Sequence, residues 1–462
     1  MRVVFDYQAC QSESRFRGIG RASRSLQHAM AKRLLADGHD VVFLLNHSLE
    51  ENVEAALSGV RARVPGARAA AFRIPAPCAA MLEENAWRQS AARALRELAI
   101  AALRPDFVHV PALLADGWGD DAVGSVGELG VYVPVALTQH DLIPLVMQDA
   151  YLAPGPFRDY YFHKLDGVKR AELFLAISEY TRGEAVSLLG VEEERVINVS
   201  SAVDDVFLEP VRAIREEAGV LERFGLSAGF FLYAPGGFDI RKNVDRLFRA
   251  FALLPADLRA RHPMVLASRL DVGRREVLSG MARSNGLGEG EFVLTDFVSD
   301  RELVGLYRAC QAYVFPSLHE GFGLPVLEAM ACGAPVIGSN CTGIPEAIGL
   351  DEALFDPRVE ESIADKMRQV VEDESFRERL LAHGRVHVAG FSWERSAAVA
   401  IEAMYERNRS LKAGGWVAAP RSSLPTHDEL LLRLSTTRPG PGPTDFVAFR
   451  ECYDANIEMG LM

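Results

Sequence analysis

Short contiguous runs of Val, Ile, Leu and Phe alternate along the chain with longer stretches in which apolar residues return every third or fourth position. The first run, Val3–Asp6, predicts a strand. After a turn-rich stretch, Ala22–Ala36 carries Leu26, Met30 and Leu34 on one face and predicts a helix. Further strands are expected at Asp40–Leu45, Phe107–Val110, Val133–Thr138 and Leu173–Ile177, with a helix at Trp87–Leu103. Apolar strands separated by helices are the signature of a parallel sheet covered on both faces. Near Leu221–Leu226 the alternation restarts. Strands are predicted at Phe230–Ala234, Met264–Ala267, Phe292–Leu294, Ala312–Phe315 and Pro335–Gly338, with helices at Val244–Leu253, Arg301–Cys310 and Pro325–Cys332. The expected fold class is therefore α/β, with two doubly wound units.

One more amphipathic helix is expected at Phe391–Arg407. Beyond it Gly414-Gly415, Pro420, Pro425 and the run Arg438-Pro-Gly-Pro-Gly-Pro443 punctuate the chain against regular structure, apart from a short helix at His427–Leu434. We divide the chain into an N-terminal Rossmann-like domain (1–212), a C-terminal one (213–390), a helix (391–410) and a Pro/Gly-rich tail (411–462). The tail reads equally as a wrapping extension and as a linker towards another module.

Length supports the division, since 462 residues exceed the roughly 250–300 at which one core stops growing. Lys and Arg total 50 against 63 Asp and Glu, a net charge of −13. That sign argues against nucleic acid as a partner, because such binding depends on basic residues neutralising phosphates. No apolar run approaches the ~18 residues of a membrane span, and Met1-Arg-Val-Val-Phe5 lacks the features of a signal peptide. The six cysteines contain no C-x-x-C pair and read as idle thiols in a reducing compartment. A cytoplasmic location is expected.

The most informative stretch runs Ser317-Leu-His-Glu-Gly-Phe-Gly-Leu-Pro-Val-Leu-Glu-Ala-Met-Ala-Cys-Gly-Ala-Pro335. A buried strand opens into a loop holding Glu320, Gly321, Phe322 and Gly323, and Pro325 sits at a favoured first position of a helix. Glycine amides at a helix start form an anion site. Glu320 and Glu328, with seven residues between them, would repel phosphate but would accept hydrogen bonds from the hydroxyls of a sugar or ribose. Taken alone, a glutamate pair at this spacing is equally a cap and a solvated helical carboxylate. A second cluster, Gly236-Gly-Phe-Asp-Ile-Arg-Lys-Asn243, places Arg241 and Lys242 at a strand–helix junction. Cations are disfavoured at a helix start, so a diphosphate ligand is the better explanation for them.

On these residues the chain resembles a retaining glycosyltransferase of family 4, a family with the GT-B architecture: two Rossmann-like domains facing across a cleft and a C-terminal helix crossing back. The resemblance covers Met1 to about Arg407. It implies that Glu320, Gly321, Phe322 and Gly323 serve the donor sugar and diphosphate, that Glu328 binds ribose, and that Arg241 and Lys242 bind phosphate. Thr138-Gln-His-Asp-Leu-Ile-Pro144 follows a strand; its His140 would contact a donor-sugar hydroxyl while Asp141 orients the histidine or the loop. A lone histidine there is more often packed than functional, but the string is similar to that of polysaccharide-assembling bacterial members. Gln11-Ser-Glu-Ser-Arg-Phe-Arg-Gly-Ile-Gly-Arg21 resembles the N-terminal loop of O-antigen mannosyltransferases, with Gly18 and Gly20 near phosphate. Arg15, Arg17, Arg21 and Arg24 form either a basic patch for an anionic acceptor or a solvated face. Asp296-Phe-Val-Ser-Asp-Arg-Glu-Leu303 resembles a segment whose backbone near Val298 faces the nucleotide base.

The resemblance implies metal-independent hexose transfer with no cofactor beyond a nucleotide-sugar donor. GDP-mannose is favoured, with GDP-rhamnose or UDP-sugars behind it. The acceptor would be a glycan or a polyprenyl-diphosphate-linked glycan, reached by peripheral contact with the inner face of the cytoplasmic membrane. No Asp-x-Asp clamp at a strand end and no His/Cys cluster with metal spacing is present. Two other readings stay open: a GT-B enzyme of different chemistry (an epimerase or phosphorylase), and a non-catalytic subunit of a polysaccharide-synthesis complex. The Trp87–Leu103 helix, with Arg88, Arg93 and Arg96, reads as core-facing before membrane-surface.

Overall fold

The computed structural model describes residues 1–49, 51, 53–209 and 214–462, with side chains 214–218 outside the description. The chain forms two compact units. One comprises Met1–Ile177, Thr181–Val199 and Trp393–Met462; the other comprises Ser178–Tyr180 and Ser200–Ser392. The domain boundary expected at 212/213 lies outside the described residues.

The N-terminal unit is built on seven strands: β1 (Arg2–Asp6), β2 (Asp40–Asn46), β3 (Arg68–Phe72), β4 (Phe107–Val110), β5 (Val135–Gln139), β6 (Leu173–Ala176) and β7 (Val196–Asn198). All pairings are parallel, in the order β3-β2-β1-β4-β5-β6-β7. The six-stranded sheet of the C-terminal unit uses β8 (Phe231–Tyr233), β9 (Met264–Leu266), β10 (Phe292–Leu294), β11 (Ala312–Phe315), β12 (Val336–Ser339) and β13 (Leu354–Phe355). Its order is β10-β9-β8-β11-β12-β13, again all parallel. In each sheet strand order reverses once, between β1 and β4 and between β8 and β11. Doubly wound sheets bind ligands beyond the carboxyl ends of the strands at that reversal.

The helices used below are α1 (Gly18–Ala36), α2 (Ala86–Ala102), α3 (Pro156–Val168), α4 (Val244–Ala252), α5 (Asp300–Ala309), α6 (Leu324–Ala331), α7 (Trp393–Ala413), α8 (His427–Leu434) and α9 (Pro443–Ile457). The stripe expected on α1 is buried: Leu26, Met30 and Leu34 pack with Ala397, Ala400, Ile401 and Met404 of α7. All six cysteines are free, and only Cys341 is not fully buried.

Residues 411–462 pack onto the N-terminal unit. Leu430 and Leu434 of α8 and Phe449 and Cys452 of α9 join Trp87, Leu95 and Leu98 of α2 in one apolar cluster. Asn456, fully buried, accepts from the Arg73 amide at 2.8 Å and donates to the Arg73 carbonyl at 2.9 Å. Met462 exchanges two backbone hydrogen bonds with Ala69 of β3, so the tail covers the sheet edge that β3 would otherwise expose. The α2 arginines are neutralised within the unit: Arg88 by Asp445 at 2.7 Å, Arg93 by Glu128 at 2.8 Å and Arg96 by Asp6 at 2.5 Å. This helix therefore has an apolar face under the tail and paired charges. No helix among the described residues is long and apolar enough to cross a membrane.

Phe449 is 0% exposed whereas Leu432 on α8 is 75% exposed. Phe449→Ala is expected to destabilise the N-terminal unit by about 3–5 kcal/mol, and Leu432→Ala to change it by less than about 0.5 kcal/mol. Denaturant melts of both variants check the pair, and equal losses would contradict the packing of the tail.

Candidate functional site

In the C-terminal unit, two loops leave the carboxyl ends of β8 and β11, the neighbours at the reversal of strand order. After β8 the chain enters a 3-10 turn, Ile240–Lys242, capped by the Asp239 side chain, which accepts from the Arg241 amide at 3.2 Å. Asn243 follows with φ 57°, a left-handed conformation that asparagine tolerates better than most residues. Its Nδ2 donates to the carbonyls of Pro316 at 3.0 Å and Pro357 at 2.8 Å. The Leu318 amide donates to the Arg241 carbonyl at 2.7 Å, and the Tyr233 hydroxyl to the Lys242 carbonyl at 3.1 Å. These bonds join the two loops before any side-chain charge is considered.

The charges then meet. Lys242 Nζ lies 2.6 Å from Glu320 Oε1, and Arg241 Nη1 lies 2.7 Å from Glu320 Oε2. Burial alone would raise the Glu320 pKa. The charges of Lys242 and Arg241, with the Lys242 hydrogen bond, overcome it and hold the carboxyl at about 2. Glu320 is thus ionised at neutral pH and can only accept hydrogen bonds.

The glycine loop is anchored on both sides. The Glu320 amide donates to Thr342 Oγ1 at 3.1 Å, and the Ser178 hydroxyl donates to the Gly321 carbonyl at 2.6 Å. Gly323 has φ +122°, which a side chain would strain. The helix α6 begins at the next residue, with Pro325 in its first turn. Among the described residues, the amides of Gly321, Phe322 and Gly323 donate to no protein acceptor. Three open N–H groups at a helix start, beside two cations, form an anion cradle.

Phe322 contributes only its backbone here: its ring is 2% exposed and packs on Phe391 at 5.7 Å. Glu328, in the middle of α6, is 4% exposed, with the Tyr307 hydroxyl 3.4 Å from its Oε2. It is neither a cap nor a solvated carboxylate. Val298 is half-buried in the loop that follows β10 and leads into α5, where Ser299 and Glu302 form a capping box.

His140 belongs to the N-terminal unit, one residue past the end of β5. Its Nε2 is 2.8 Å from the Pro111 carbonyl. A carbonyl only accepts, so Nε2 carries the proton. Burial lowers the histidine's pKa against the opposing effects of that bond and of Asp141, so the ring is neutral at pH 7 and Nδ1 offers a lone pair. Asp141 Oδ1 accepts from the Ile143 amide at 3.1 Å, so this carboxylate orients the loop. The helix expected from Ala22 starts earlier: α1 begins at Gly18, so Gly18 and Gly20 both lie within its first turn. A Cβ on Gly20 would sit 2.1 Å from the Ser14 carbonyl oxygen, so glycine is required there by the close approach of the Ser14 turn. Gly18 has open space around it. Arg15 pairs with Glu51 at 3.6 Å, and Arg17 is exposed.

The structure therefore brings Glu320, Arg241, Lys242 and the glycine-loop amides together in the C-terminal unit. Sequence reasoning missed Asn243, Tyr233, Thr342 and Ser178 as the residues that hold this arrangement. Asn243 alone carried a signal, an asparagine between a turn and a helix start.

Residues 26–207 match the family model described as Glycosyltransferase Family 4, and residues 227–387 that described as Glycosyl transferases group 1. The chain is 36% identical over 409 residues to the serotype-specific mannosyltransferase WbdA of Escherichia coli, covering 87% of this chain and 48% of that protein. It is 33% identical over 239 residues to the O-antigen chain mannosyltransferase B of Escherichia coli, covering 52% of this chain and 61% of that one. The chain spans about half the length of the curated relatives it matches. Among solved structures it is similar to sucrose-phosphate synthase of Thermosynechococcus elongatus, with TM-score 0.61, 20% identity, and 90% of this chain and 100% of that one covered. It is also similar to Anabaena HepE in complex with UDP-glucose, with TM-score 0.60, 16% identity, and 89% and 100% covered. These two likenesses establish the fold.

The chain is thus a two-domain glycosyltransferase type with the GT-B fold. Within that class it belongs to glycosyltransferase family 4 and resembles the O-antigen mannosyltransferases.

The Glu320 pKa of about 2 lies below the ordinary 4.5. Its contribution to stability is fully present above pH ~4.5 and is lost as pH falls towards 2. Glu320→Gln takes the counter-charge from Lys242 and leaves Arg241 paired with Asp239 at 3.3 Å; it is expected to cost about 3 kcal/mol at pH 7. Thermal melts should show the gap to wild type closing as pH falls from 4.5 to 2; a constant gap would mean that Glu320 is not ionised in the folded protein.

Proposed function

We propose that the chain transfers a hexose from a nucleotide-sugar donor, with GDP-mannose favoured, to a glycan or lipid-linked glycan in bacterial surface polysaccharide synthesis. The reading adds that the donor's anomeric configuration is retained and that no metal takes part. The observation that carries it is the cation pair Arg241 and Lys242, fixed beside the open amides of Gly321–Gly323. A diphosphate entering that cradle replaces Glu320 as counter-anion to the cations. Glu320, beside the same cations, then turns its free lone pairs to the sugar hydroxyls.

Transfer breaks the bond from the sugar's anomeric carbon to the diphosphate oxygen and forms one to the acceptor oxygen on the same face. The acceptor proton passes to the departing diphosphate. The negative charge that develops on that leaving group meets Arg241, Lys242 and the amides, already oriented in a partly dry site. These cations supply the charge stabilisation that a divalent ion supplies elsewhere, which supports metal-independent transfer. The similarity to O-antigen mannosyltransferases supports mannose as the sugar.

Lys242→Ala is expected to lower kcat about a hundred- to a thousandfold while circular dichroism stays that of wild type. EDTA should leave the wild-type rate within about twofold. Labelled GDP-mannose, incubated with and without a mannoside acceptor, checks both and separates transfer from epimerisation. A wild-type rate in Lys242→Ala would refute the assignment of the cations, and loss of activity in EDTA would refute metal independence.

A further inference from the structure

In the C-terminal unit the loop after β12, residues 340–343, holds one residue in a conformation that its side chain disfavours. Thr342 has φ 58°. For a β-branched residue this left-handed region is an outlier that costs free energy, and it persists only where the surroundings over-determine it. Glycine would take the same φ without steric cost. Here the surroundings do impose it. The Asn340 amide donates to the Phe355 carbonyl of β13 at 2.9 Å, and Cys341 Sγ donates to the Leu318 carbonyl at 3.3 Å. On the other side of Thr342, the Gly343 amide donates to the Glu320 carbonyl at 3.1 Å. A Cβ on Gly343 would meet the Gly321 carbonyl oxygen at 2.3 Å, so the backbone at 343 lies directly against the glycine loop.

The strained conformation fixes the position of one hydroxyl. Thr342 Oγ1 donates to the Cys341 carbonyl at 2.7 Å, which turns a lone pair to the Glu320 amide, 3.1 Å away. Among the described residues no backbone acceptor takes that amide. Residues 342 and 343 thus hold both polar backbone groups of Glu320, the N–H through a side chain and the C=O through an amide. The direction of the Glu320 side chain is set from this loop, and so is the orientation of the open amides that follow it at 321–323. A glycine at 342 would relieve the strain but supply no hydroxyl.

We propose that Thr342 is a positioning residue for hexose transfer: its hydroxyl, held by a strained backbone, aims Glu320 and the glycine-loop amides at the donor. Its effect is exerted through Glu320. The assignment rests on the transferase reading above and adds that stability and activity pull apart at this residue.

Four forms of the full chain test it: wild type, Thr342→Ser, Thr342→Val and Thr342→Gly. Each is followed by thermal melting, by calorimetric binding of GDP alone, and by mannose transfer from GDP-mannose to a mannoside. Serine keeps the hydroxyl, valine keeps the shape and the strain without it, and glycine loses both. The serine variant is expected to stay within about twofold of wild type in GDP affinity and kcat. The valine and glycine variants should each bind GDP roughly fivefold more weakly and lose about tenfold in kcat, with circular dichroism unchanged. The glycine variant should nonetheless melt about 2 °C above the valine variant. Activity then follows the hydroxyl while stability follows the strain, a split that a purely structural role would not produce. Wild-type GDP affinity and kcat in Thr342→Val would overturn the proposal, as would a glycine variant as active as the serine one or melting below the valine one. If any of these occurs while wild type transfers mannose, this assignment falls and the transferase reading stands. If the GDP pattern holds but no form transfers mannose, the transferase reading falls and the positioning role at a nucleotide site remains. Wild type that neither binds GDP nor transfers mannose ends both.

Discussion

The C-terminal unit depends on one ionic arrangement: a carboxylate held between two cations on loops from neighbouring strands. Buried charges are tolerated only when paired and hydrogen-bonded, and Glu320, Lys242 and Arg241 satisfy one another. The pairing is possible because Asn243 bridges to Pro316 and Pro357, which brings the β8 loop against the β11 loop. Strand order reverses between these two strands, so no connecting helix crosses the space that the loops border. The cations are therefore fixed in place by the fold itself, with Glu320 as their counter-anion, and fixed charges are most effective when little reorganisation is asked of them.

The N-terminal unit repeats the principle with hydrogen bonds. Its strand order reverses between β1 and β4, and the loops from their ends are joined by Ser14 Oγ donating to Asp116 Oδ1 at 2.5 Å. Lys164 holds the second loop by donating to the Leu113 carbonyl at 2.7 Å and to the Asp116 carbonyl. Below them Arg96 and Asp6 form a pair that is almost wholly buried, and His109 links Thr138 to Gln27. The tail of residues 411–462 supports this framework from outside by covering α2 and the β3 edge.

Much of this was legible in the sequence. The strands at Phe107, Phe292 and Ala312 and the helices at Val244 and His427 appear where apolar runs and helical spacing place them. What was missed has physical reasons. β3 reads Arg-Ala-Ala-Ala-Phe, and alanine has little strand preference; the segment is a strand because β2 and the chain end pair with it. β13 is two residues long, too short for any periodicity. α9 was hidden by the Pro-Gly-Pro-Gly-Pro run before it, although Pro443 occupies the one helical position where proline costs nothing. In the site, the glycine loop and the Arg241–Lys242 pair were visible as local motifs. Their convergence on Glu320, across 78 residues of sequence, was not. Neither was the Ser14 contact that requires glycine at position 20.

Two titratable groups, one in each unit, are pushed in opposite senses towards the same capability. Glu320 is kept ionised by its cations despite burial. His140 is kept neutral by burial, with its one proton committed to the Pro111 carbonyl. Both therefore present lone pairs at neutral pH and donate nothing towards a ligand. A phosphate has only lone pairs to offer and would be refused by both. A hydroxyl can donate and is accepted by either. The donors aimed at a ligand are a separate set: Arg241, Lys242 and the amides of Gly321–Gly323. Within the C-terminal unit the two sets lie side by side, Glu320 as acceptor and Arg241, Lys242 and the amides as donors, and this polarity is what the proposed nucleotide-sugar reading draws on.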